Sequence, residues 1–283
     1  MEHKKRAHSK FAASAATRWF NCPGSVQLSE GLPDRENQYS KAGTKAHEVL
    51  EKTIRALLNH VPVSRLRDLF RDDKEVTREM MRHALDSARF MIKMAKSAEL
   101  LIETKIFLEF IHEEMFGTFD GAILDHFGTL HVFDYKYGQK TISPKENLQM
   151  IFYGLGLAFL YRWNFKRVRF WVIQPRIRGY DGPVFWEISI SELRAYEPIF
   201  REAVLNVERN PRKFKEGEWC FWCKAKTRCP LKREAKLDKA VEIFRLKKGK
   251  NGQKEETPKN EGEGESEASW RKEKKKKKTR RRT

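Results

Sequence analysis

Apolar residues recur with a helical period in the first hundred positions of the chain. In residues 41–60, one face of a predicted helix collects Ala46, Val49, Leu50, Ile54, Leu57 and Leu58. Residues 75–97 predict a second helix, and residues 9–22 predict a short one that ends in a turn at Pro23–Gly24. The first part of the chain is therefore predicted to be helical.

The period changes after residue 100, where β-branched and aromatic residues predict strands at 101–110, 117–127 and 129–138. The segment "HFGT" joins the last two as a tight hairpin. The apolar segment 145–163 then predicts a buried helix. Two more strands follow, and a last helix begins at Ser191 as N-cap; these elements are predicted at 168–176, 184–190 and 191–209. This order predicts an α/β fold with a central mixed sheet flanked by helices.

Positive charge is concentrated at the C-terminal end of the chain, and the whole chain is basic. The formal net charge is +19, and residues 271–283 alone contribute +9, so the remainder is also basic. Such a balance favours nucleic acid as the partner, although anionic lipid or a solubilising surface would also fit. From residue 241 the chain is rich in Lys, Glu, Gly and Ser. We therefore predict a folded domain over residues 1–240 and a disordered basic tail over 241–283, serving as a nucleic-acid arm, a targeting signal or a solubility tail.

The sequence shows no secretory signal. The basic N-terminus is not followed by an apolar segment of signal-peptide type, and the apolar run 150–161 is too short to span a bilayer. We expect a cytoplasmic protein, in a bacterial host cell, with no membrane partner. In a reducing compartment, four cysteines indicate metal binding or catalysis before disulfides.

Acidic residues interrupt two of the predicted strands. Asp120 and Asp134 lie in segments that are otherwise suited to a core, where aspartate is rare unless it is paired or bound to metal. Across a hairpin both carboxylates can reach one end of the sheet and form a site for Mg²⁺ or Mn²⁺. Lys136 shares a face of the strand with Asp134 and could stabilise charge on a phosphate. Equally, Asp134 and Lys136 could form an ordinary surface ion pair.

Four further polar residues accompany these. His47 lies on the first long helix, Glu103 lies on the first strand, and Gln149 and Tyr153 lie one turn apart on the apolar helix. Taken singly, each of them also suits a solvated face, a helix cap or a packed aromatic. Their order along the chain is more informative than any one residue.

In this order, the residues resemble the PD-(D/E)XK nuclease superfamily, in particular its RecB-like exonuclease branch. The similar motifs are "GTKAHEVLE" with His47, "GTFD" with Asp120, "DYK" with Asp134 and Lys136, and "QMIFY" with Gln149 and Tyr153. Phe119 stands where the superfamily name has proline. The chain also looks like an uncharacterised phage- or prophage-borne family with openings similar to "RWFNCPGS".

The resemblance implies a metal-dependent deoxyribonuclease, an exonuclease acting on DNA ends or single strands in phage replication or recombination. It implies Mg²⁺ or Mn²⁺ held by His47, Asp120, Asp134 and the carbonyl of Tyr135. Lys136 would assist the attacking water, and Gln149 and Tyr153 would contact DNA or brace the site, with Glu103 as an additional catalytic residue. A helicase or recombinase is a candidate partner. Two alternatives are a non-catalytic DNA-binding protein on a nuclease fold and an RNA-directed nuclease.

Cysteines form the second candidate site. Cys220, Cys223 and Cys229 follow the spacing C-x₂-C-x₅-C, which alone suits a zinc knuckle or a redox pair. Thiolate metal sites usually need four ligands, and Cys22 is the remaining cysteine. In the resembling nucleases, one early and three late cysteines hold a 4Fe-4S cluster, with Zn²⁺ as the alternative here. Nearby aromatic and basic side chains could bind single-stranded DNA or only shield the metal; the candidates for DNA binding are Trp222, Lys224, Lys226 and Arg228.

Overall fold

The computed structural model describes residues 9–33 and 38–251. Five strands form one sheet in the order β1-β2-β3-β4-β5. Their bounds are β1 Leu100–Phe107, β2 Phe116–Leu124, β3 Thr129–Tyr135, β4 Arg167–Ile173 and β5 Val184–Ser189. Strands β3 and β4 are parallel, and the other neighbours are antiparallel. The predicted α/β fold with a mixed sheet is confirmed, as is the hairpin between β2 and β3.

Helices cover both faces of this sheet. The described α-helices are α1 Ala16–Asn21, α2 Gly24–Ser29, α3 Gln38–Leu58, α4 Arg78–Ala95, α5 Leu148–Leu160, α6 Ile190–Arg209 and α7 Pro230–Asn251. Short 3₁₀ segments lie at Ala13–Ala15, Val63–Phe70 and Glu218–Trp222. No helix of the described residues is long and apolar enough to cross a membrane.

Strand β3 is buried along its whole length because it lies in the middle of the sheet, with helices on both sides. Its residues alternate between two hydrophobic cores. Leu130 and Val132 pack with α1, α5 and α6, whereas Phe133 and Tyr135 pack with α3 and α4. The same alternation places Asp134 and Lys136 on the α5 side, one after the other. The prediction that these two residues share a face is therefore confirmed.

Helix α5 begins directly beside the end of β3. The Asn147 side chain caps it by accepting hydrogen bonds from the backbone N–H groups of Gln149 and Met150. The helix carries apolar residues on all of its faces. It packs against the sheet, α1 and α6 and is largely buried, as predicted. Gln149 is thereby held at the first turn, at the level where β3 ends.

One predicted helix start differs from the structure. The N-cap of α6 is Ser189 and not Ser191, since only Ser189 has a glutamate three positions later and forms a capping box with Glu192. The predicted turn at Pro23–Gly24 follows α1 and leads directly into a second helix, which was not predicted. Gly24 begins α2, because Pro23 already has helical dihedral angles (φ −50°, ψ −45°).

The predicted boundary at residue 240 lies inside α7, which continues to Asn251. Its Ala, Leu, Lys, Glu and Arg residues have high helix propensity, and this outweighs their low hydrophobicity. The compact unit that contains the sheet ends at Glu234. The remainder of the predicted basic tail, residues 252–283, lies outside the described residues.

Candidate metal centre and cysteine cavity

Asp120 occupies a gap between two strands. The paired residues of β2 and β3 end at Gly121 and Phe133. Beyond that point the Asp120 carboxylate Oδ2 accepts a hydrogen bond of 2.6 Å from the backbone N–H of Tyr135. The side chain thus replaces the backbone acceptor that a continued ladder would supply. Divergence of the two strands creates the space in which the candidate metal centre lies.

Glu103 breaks the alternation of β1. Its φ of +44° is in the left-handed region, which costs a non-glycine residue about 1–2 kcal/mol. Ile102 packs with the core on the α3 and α4 side, and the next residue, Glu103, faces His47 of α3 as well. A regular strand would have turned one of them to the other face. The strained backbone therefore brings an additional carboxylate to the centre.

His47 completes a compact group of ligand atoms. Its Nδ1 lies 2.9 Å from Oδ1 of Asp120 and 3.9 Å from Oε1 of Glu103. One ligand atom from each of these three residues lies within 4.8 Å of the other two. In the part of the chain that the structure describes, no other set of three His, Cys, Asp or Glu side chains is this close. One imidazole and two carboxylates form a donor set that suits a hard divalent ion.

Asp134 and Lys136 begin a chain of hydrogen bonds across the site. The Lys136 ammonium donates to Asp134 Oδ1 at 2.9 Å and to Gln149 Oε1 at 3.0 Å. The amide nitrogen of Gln149 donates to the Tyr153 hydroxyl at 3.2 Å. Asp134 is 2% exposed, yet its Oδ2 has no hydrogen-bond partner within the protein. A buried, unpaired carboxylate oxygen is costly, so this atom favours a bound cation.

The pKa values of Glu103, Asp134 and Asp120 shift in different directions. Burial and the neighbouring Asp120 raise the pKa of Glu103 to about 7. Burial, followed by the charge of Asp120, also raises the pKa of Asp134 above its ordinary value despite Lys136. For Asp120, burial acts in the same direction, but His47 and Lys136 outweigh it and lower the pKa. Such crowding of carboxylates is typical of a site that binds metal.

Acidic neighbours favour the charged form of the Lys136 side chain. Burial alone would lower the pKa of its ammonium, but Asp134 and Asp120 more than compensate and raise it. Two of its three N–H groups are directed by Asp134 and Gln149. The ammonium is therefore positioned by two hydrogen bonds beside the ligand group.

All four cysteines line one cavity. Cys22 follows α1, Cys220 lies in the 3₁₀ segment Glu218–Trp222, Cys223 directly follows that segment, and Cys229 precedes α7. Cys22 is 6% exposed, and burial raises the pKa of its thiol. Its sulfur accepts a hydrogen bond of 3.5 Å from the backbone N–H of Lys215. The early cysteine is therefore brought to the three late ones.

Backbone contacts join early and late segments of the chain near this cavity. The N–H of Gly24 donates to the carbonyl of Lys213 at 2.9 Å. A Cβ at Gly24 would approach the Phe214 ring to 2.6 Å, so only glycine permits this close packing. The cavity lies on the joint between the N-terminal helices and the segment after α6.

A family model matches residues 8–280 and is described as "Protein of unknown function (DUF2800)". The chain belongs to the DUF2800 family. The chain is also similar, at low identity, to several solved structures. SSO0001 is 13% identical over 81% of this chain and 89% of its own, with a TM-score of 0.38. A Eubacterium rectale protein that is assigned as an exonuclease is 9% identical over 79% and 93%, with a TM-score of 0.40.

An alkaline exonuclease from Laribacter hongkongensis is 15% identical to the DUF2800 chain, over 70% of this chain and 94% of the exonuclease, with a TM-score of 0.29. These identities and TM-scores are too low to transfer an activity. The chemistry of the DUF2800 chain is therefore inferred from its own side chains.

Most predicted site residues of the DUF2800 chain lie together, but in two groups. His47, Asp120 and Glu103 form the ligand group, while Asp134 and Lys136 lie beside it with Gln149 and Tyr153. Glu103 was predicted only as an additional catalytic residue, and the structure places it closer to His47 and Asp120 than the sequence suggested. Tyr135 reaches the site through its backbone N–H, whereas the prediction concerned its carbonyl.

The aromatic residues near the cysteines differ in exposure. Trp219 lines the cavity and donates to the carbonyl of Lys215, so it shields the cysteines. Trp222 is 62% exposed and packs at right angles on Phe221, itself 69% exposed. Lys226 lies 5.6 Å from the Phe221 ring. Phe221 was not among the predicted DNA-binding residues, although it lies between two of the cysteines.

Proposed function

We propose that this protein is a divalent-metal-dependent nuclease that hydrolyses phosphodiester bonds in DNA at ends or in single strands. The observation that supports it best is the group of His47, Glu103 and Asp120 beside the Lys136 ammonium. A cation site next to a fixed positive donor suits a reacting phosphodiester, which needs both charge neutralisation and positioning. The net charge of +19 favours nucleic acid as the substrate.

Mg²⁺ or Mn²⁺ fits the residues present. His47, Glu103 and Asp120 would hold the ion, and the unpaired Oδ2 of Asp134 offers one more oxygen. Such an ion supplies Lewis acidity and a water of lowered pKa. Lys136 would donate to a phosphate oxygen or orient the attacking water, and Asp134 holds it in place. Gln149 fixes Lys136 from the other side, and Tyr153 fixes Gln149.

A nuclease assay tests this proposal directly. Full-length protein should degrade linear or single-stranded DNA with Mg²⁺ or Mn²⁺, and Asp134→Ala should lose activity by on the order of 10²-fold or more, because Lys136 loses its carboxylate partner. The control is Asp68→Asn, an exposed acid whose ion pair with Arg71 is worth little. Equal degradation by wild type and Asp134→Ala would show that the site is wrongly assigned.

Metal binding should depend on pH through Glu103, whose pKa is about 7. A proton on this carboxyl must leave before the group can ligate a cation, so affinity should rise with pH below this value, by up to about tenfold per pH unit for this one proton, and level off above it. Calorimetric titration with Mn²⁺ between about pH 5 and 8 measures the slope. Below the pKa of Glu103, Glu103→Gln should reduce that slope by up to one proton, whereas the exposed Glu113→Gln should not. Identical slopes in all three proteins would remove Glu103 from the ligand set.

The cysteine cavity is proposed to hold a 4Fe-4S cluster, with Zn²⁺ as the alternative. All-thiolate coordination fits either group, and the preference for the cluster rests on the resemblance to nucleases with one early and three late cysteines. Lys215, Lys226 and Lys232 also line the cavity and would offset the charge of four thiolates.

The segment after Trp219 is proposed to contact DNA. The exposed side chains of Trp222, Lys226 and Arg228, with Lys224 partly exposed, combine aromatic faces and positive charge. This surface equally favours the second candidate function, a DNA-binding accessory protein without turnover. Salt-sensitive DNA binding with no metal-dependent cleavage would identify that alternative. RNA among the substrates tests the third candidate, and a helicase or recombinase partner in phage replication or recombination remains a prediction from the resemblance.

A further inference from the structure

The end of the β1–β2 hairpin beyond the metal centre carries exposed aromatic rings. Phe107 is 43% exposed, and it pairs in register with Phe116, which is partly exposed. The next pair along the same face is Lys105 with Thr118, and both of these are exposed. We call the surface formed by Lys105, Phe107, Phe116 and Thr118 the strand platform.

The strand platform lies on the same face of the sheet as the metal centre. The residues between its members, Ile106 and Gly117, face the opposite side, where they approach Gly156 and Tyr153 of α5. Alternation therefore directs the platform side chains away from α5, toward the face to which Glu103 and His47 contribute. Lys105 follows Glu103 by two residues, a distance of roughly 7 Å along a strand. The platform thus continues the site outward without a break.

Charge and ring geometry indicate what this surface binds. The Lys105 ammonium lies 4.0 Å from the centroid of the Phe116 ring and 5.1 Å from that of Phe107. The two ring centroids are 5.9 Å apart. An exposed lysine–ring contact is weaker than a stacked base, so a nucleobase can displace the ammonium, which is then free to contact a phosphate.

Protection of the sheet edge explains the surface less well. Strand β1 is an edge strand, and a lysine there commonly discourages pairing with other chains. Discouraging such pairing needs only the positive charge of Lys105. The exposed neighbouring phenylalanines would instead increase the risk of association with other protein chains. Phe107 and Phe116 therefore call for a ligand with an aromatic face.

We propose that the strand platform binds single-stranded DNA, with bases stacked on Phe107 and Phe116 and a phosphate at Lys105, so that the next phosphodiester enters the metal centre. This inference rests on the proposed function and names its substrate as an unpaired strand. A duplex is disfavoured, because its bases are already stacked on one another and cannot cover the rings.

Variants of the full-length protein test the platform. Phe107→Ala and Phe116→Ala should each weaken binding of a fluorescein-labelled oligo(dT) by roughly 5- to 150-fold, measured by anisotropy without divalent ions. Binding of a blunt hairpin duplex should change less than twofold. The matched control is Phe127→Ala, since Phe127 is 75% exposed in the hairpin at the other end of β2. Unchanged oligo(dT) affinity in both platform variants would overturn the proposal.

Abasic oligonucleotides give a second test that uses only wild-type protein, so it does not depend on the folding of a variant. A single abasic site moved along the strand should weaken binding at one or two positions near the cleaved end, where bases meet the rings. Uniform affinity at every position would contradict the platform. If wild type cleaves DNA but Phe107 and Phe116 prove irrelevant, only the platform fails. Platform-dependent binding without any cleavage would support the platform and overturn the proposed nuclease activity.

Discussion

Asp120→Asn is expected to reduce metal-dependent DNA hydrolysis by on the order of 10²–10³-fold or more while leaving the fold nearly as stable as in wild type. The substitution removes one of the charges in the ligand group with His47 and Glu103. Asparagine still offers a side-chain oxygen to the backbone N–H of Tyr135, which Asp120 binds at 2.6 Å. The variant should therefore lose activity without losing stability. Mn²⁺ titration, the nuclease rate and the thermal midpoint measure the three consequences.

Asp120→Ala provides the contrast to this variant. It loses the charge as well, but it also leaves the Tyr135 N–H without its acceptor in a buried gap between β2 and β3. We expect an additional destabilisation of about 1–3 kcal/mol in alanine relative to asparagine. If asparagine binds Mn²⁺ with wild-type affinity, Asp120 is not a ligand. If the Asp120→Ala protein is as stable as the Asp120→Asn protein, the hydrogen bond from the Tyr135 N–H to residue 120 does not stabilise the fold.

Cys22→Ser is expected to remove the bound metal or cluster and to lower the melting temperature by on the order of 10 °C. Cys22, the proposed fourth ligand, is buried and lines the same cavity as the late cysteines. Loss of a structural thiolate site costs several kcal/mol, and each kcal/mol shifts the melting temperature of a domain this size by about 2–4 °C. Anaerobic purification followed by metal analysis, visible absorption and calorimetry measures the effect.

Ser25→Ala is the matched control for the cavity. Ser25 lines the same cavity, and its buried hydroxyl has no partner within the protein, so its removal should leave metal content and stability almost unchanged. Iron with sulfide and a visible chromophore in wild type would establish the cluster, whereas a colourless protein with stoichiometric zinc would overturn it. Cys22→Ser with full metal content would exclude Cys22 as the fourth ligand.

Much of the fold was determined by the sequence itself, because local patterns carry local structure. All five strands formed, since β-branched and aromatic residues with turn residues between them suit a sheet on either face. The shared face of Asp134 and Lys136 follows from the two-residue period of a strand. The turn from Asn147 into the apolar helix was likewise local, and this turn places Gln149 at the end of β3.

Two helix ends were predicted incorrectly from local sequence patterns. Ser189 and Ser191 both have the side chain of an N-cap, and only the partner three residues later separates them. Helix α7 continued past a predicted boundary because helix propensity and apolar composition pointed in opposite directions. Both cases could have been decided from sequence if the competing rules had been weighed against each other.

Only the tertiary structure decided how distant residues meet at the two sites. Glu103 reaches His47 because its backbone adopts a φ of +44°, a strained conformation that no strand pattern predicts and that the surrounding packing must impose. Asp120 accepts a hydrogen bond from the Tyr135 N–H because the pairing of β2 with β3 begins only at the next residue, Gly121. Cys22 meets Cys220, Cys223 and Cys229 through the packing of chain segments far apart in sequence. Residue type and spacing therefore determined which side chains were candidates, whereas long-range packing determined which of them share a site.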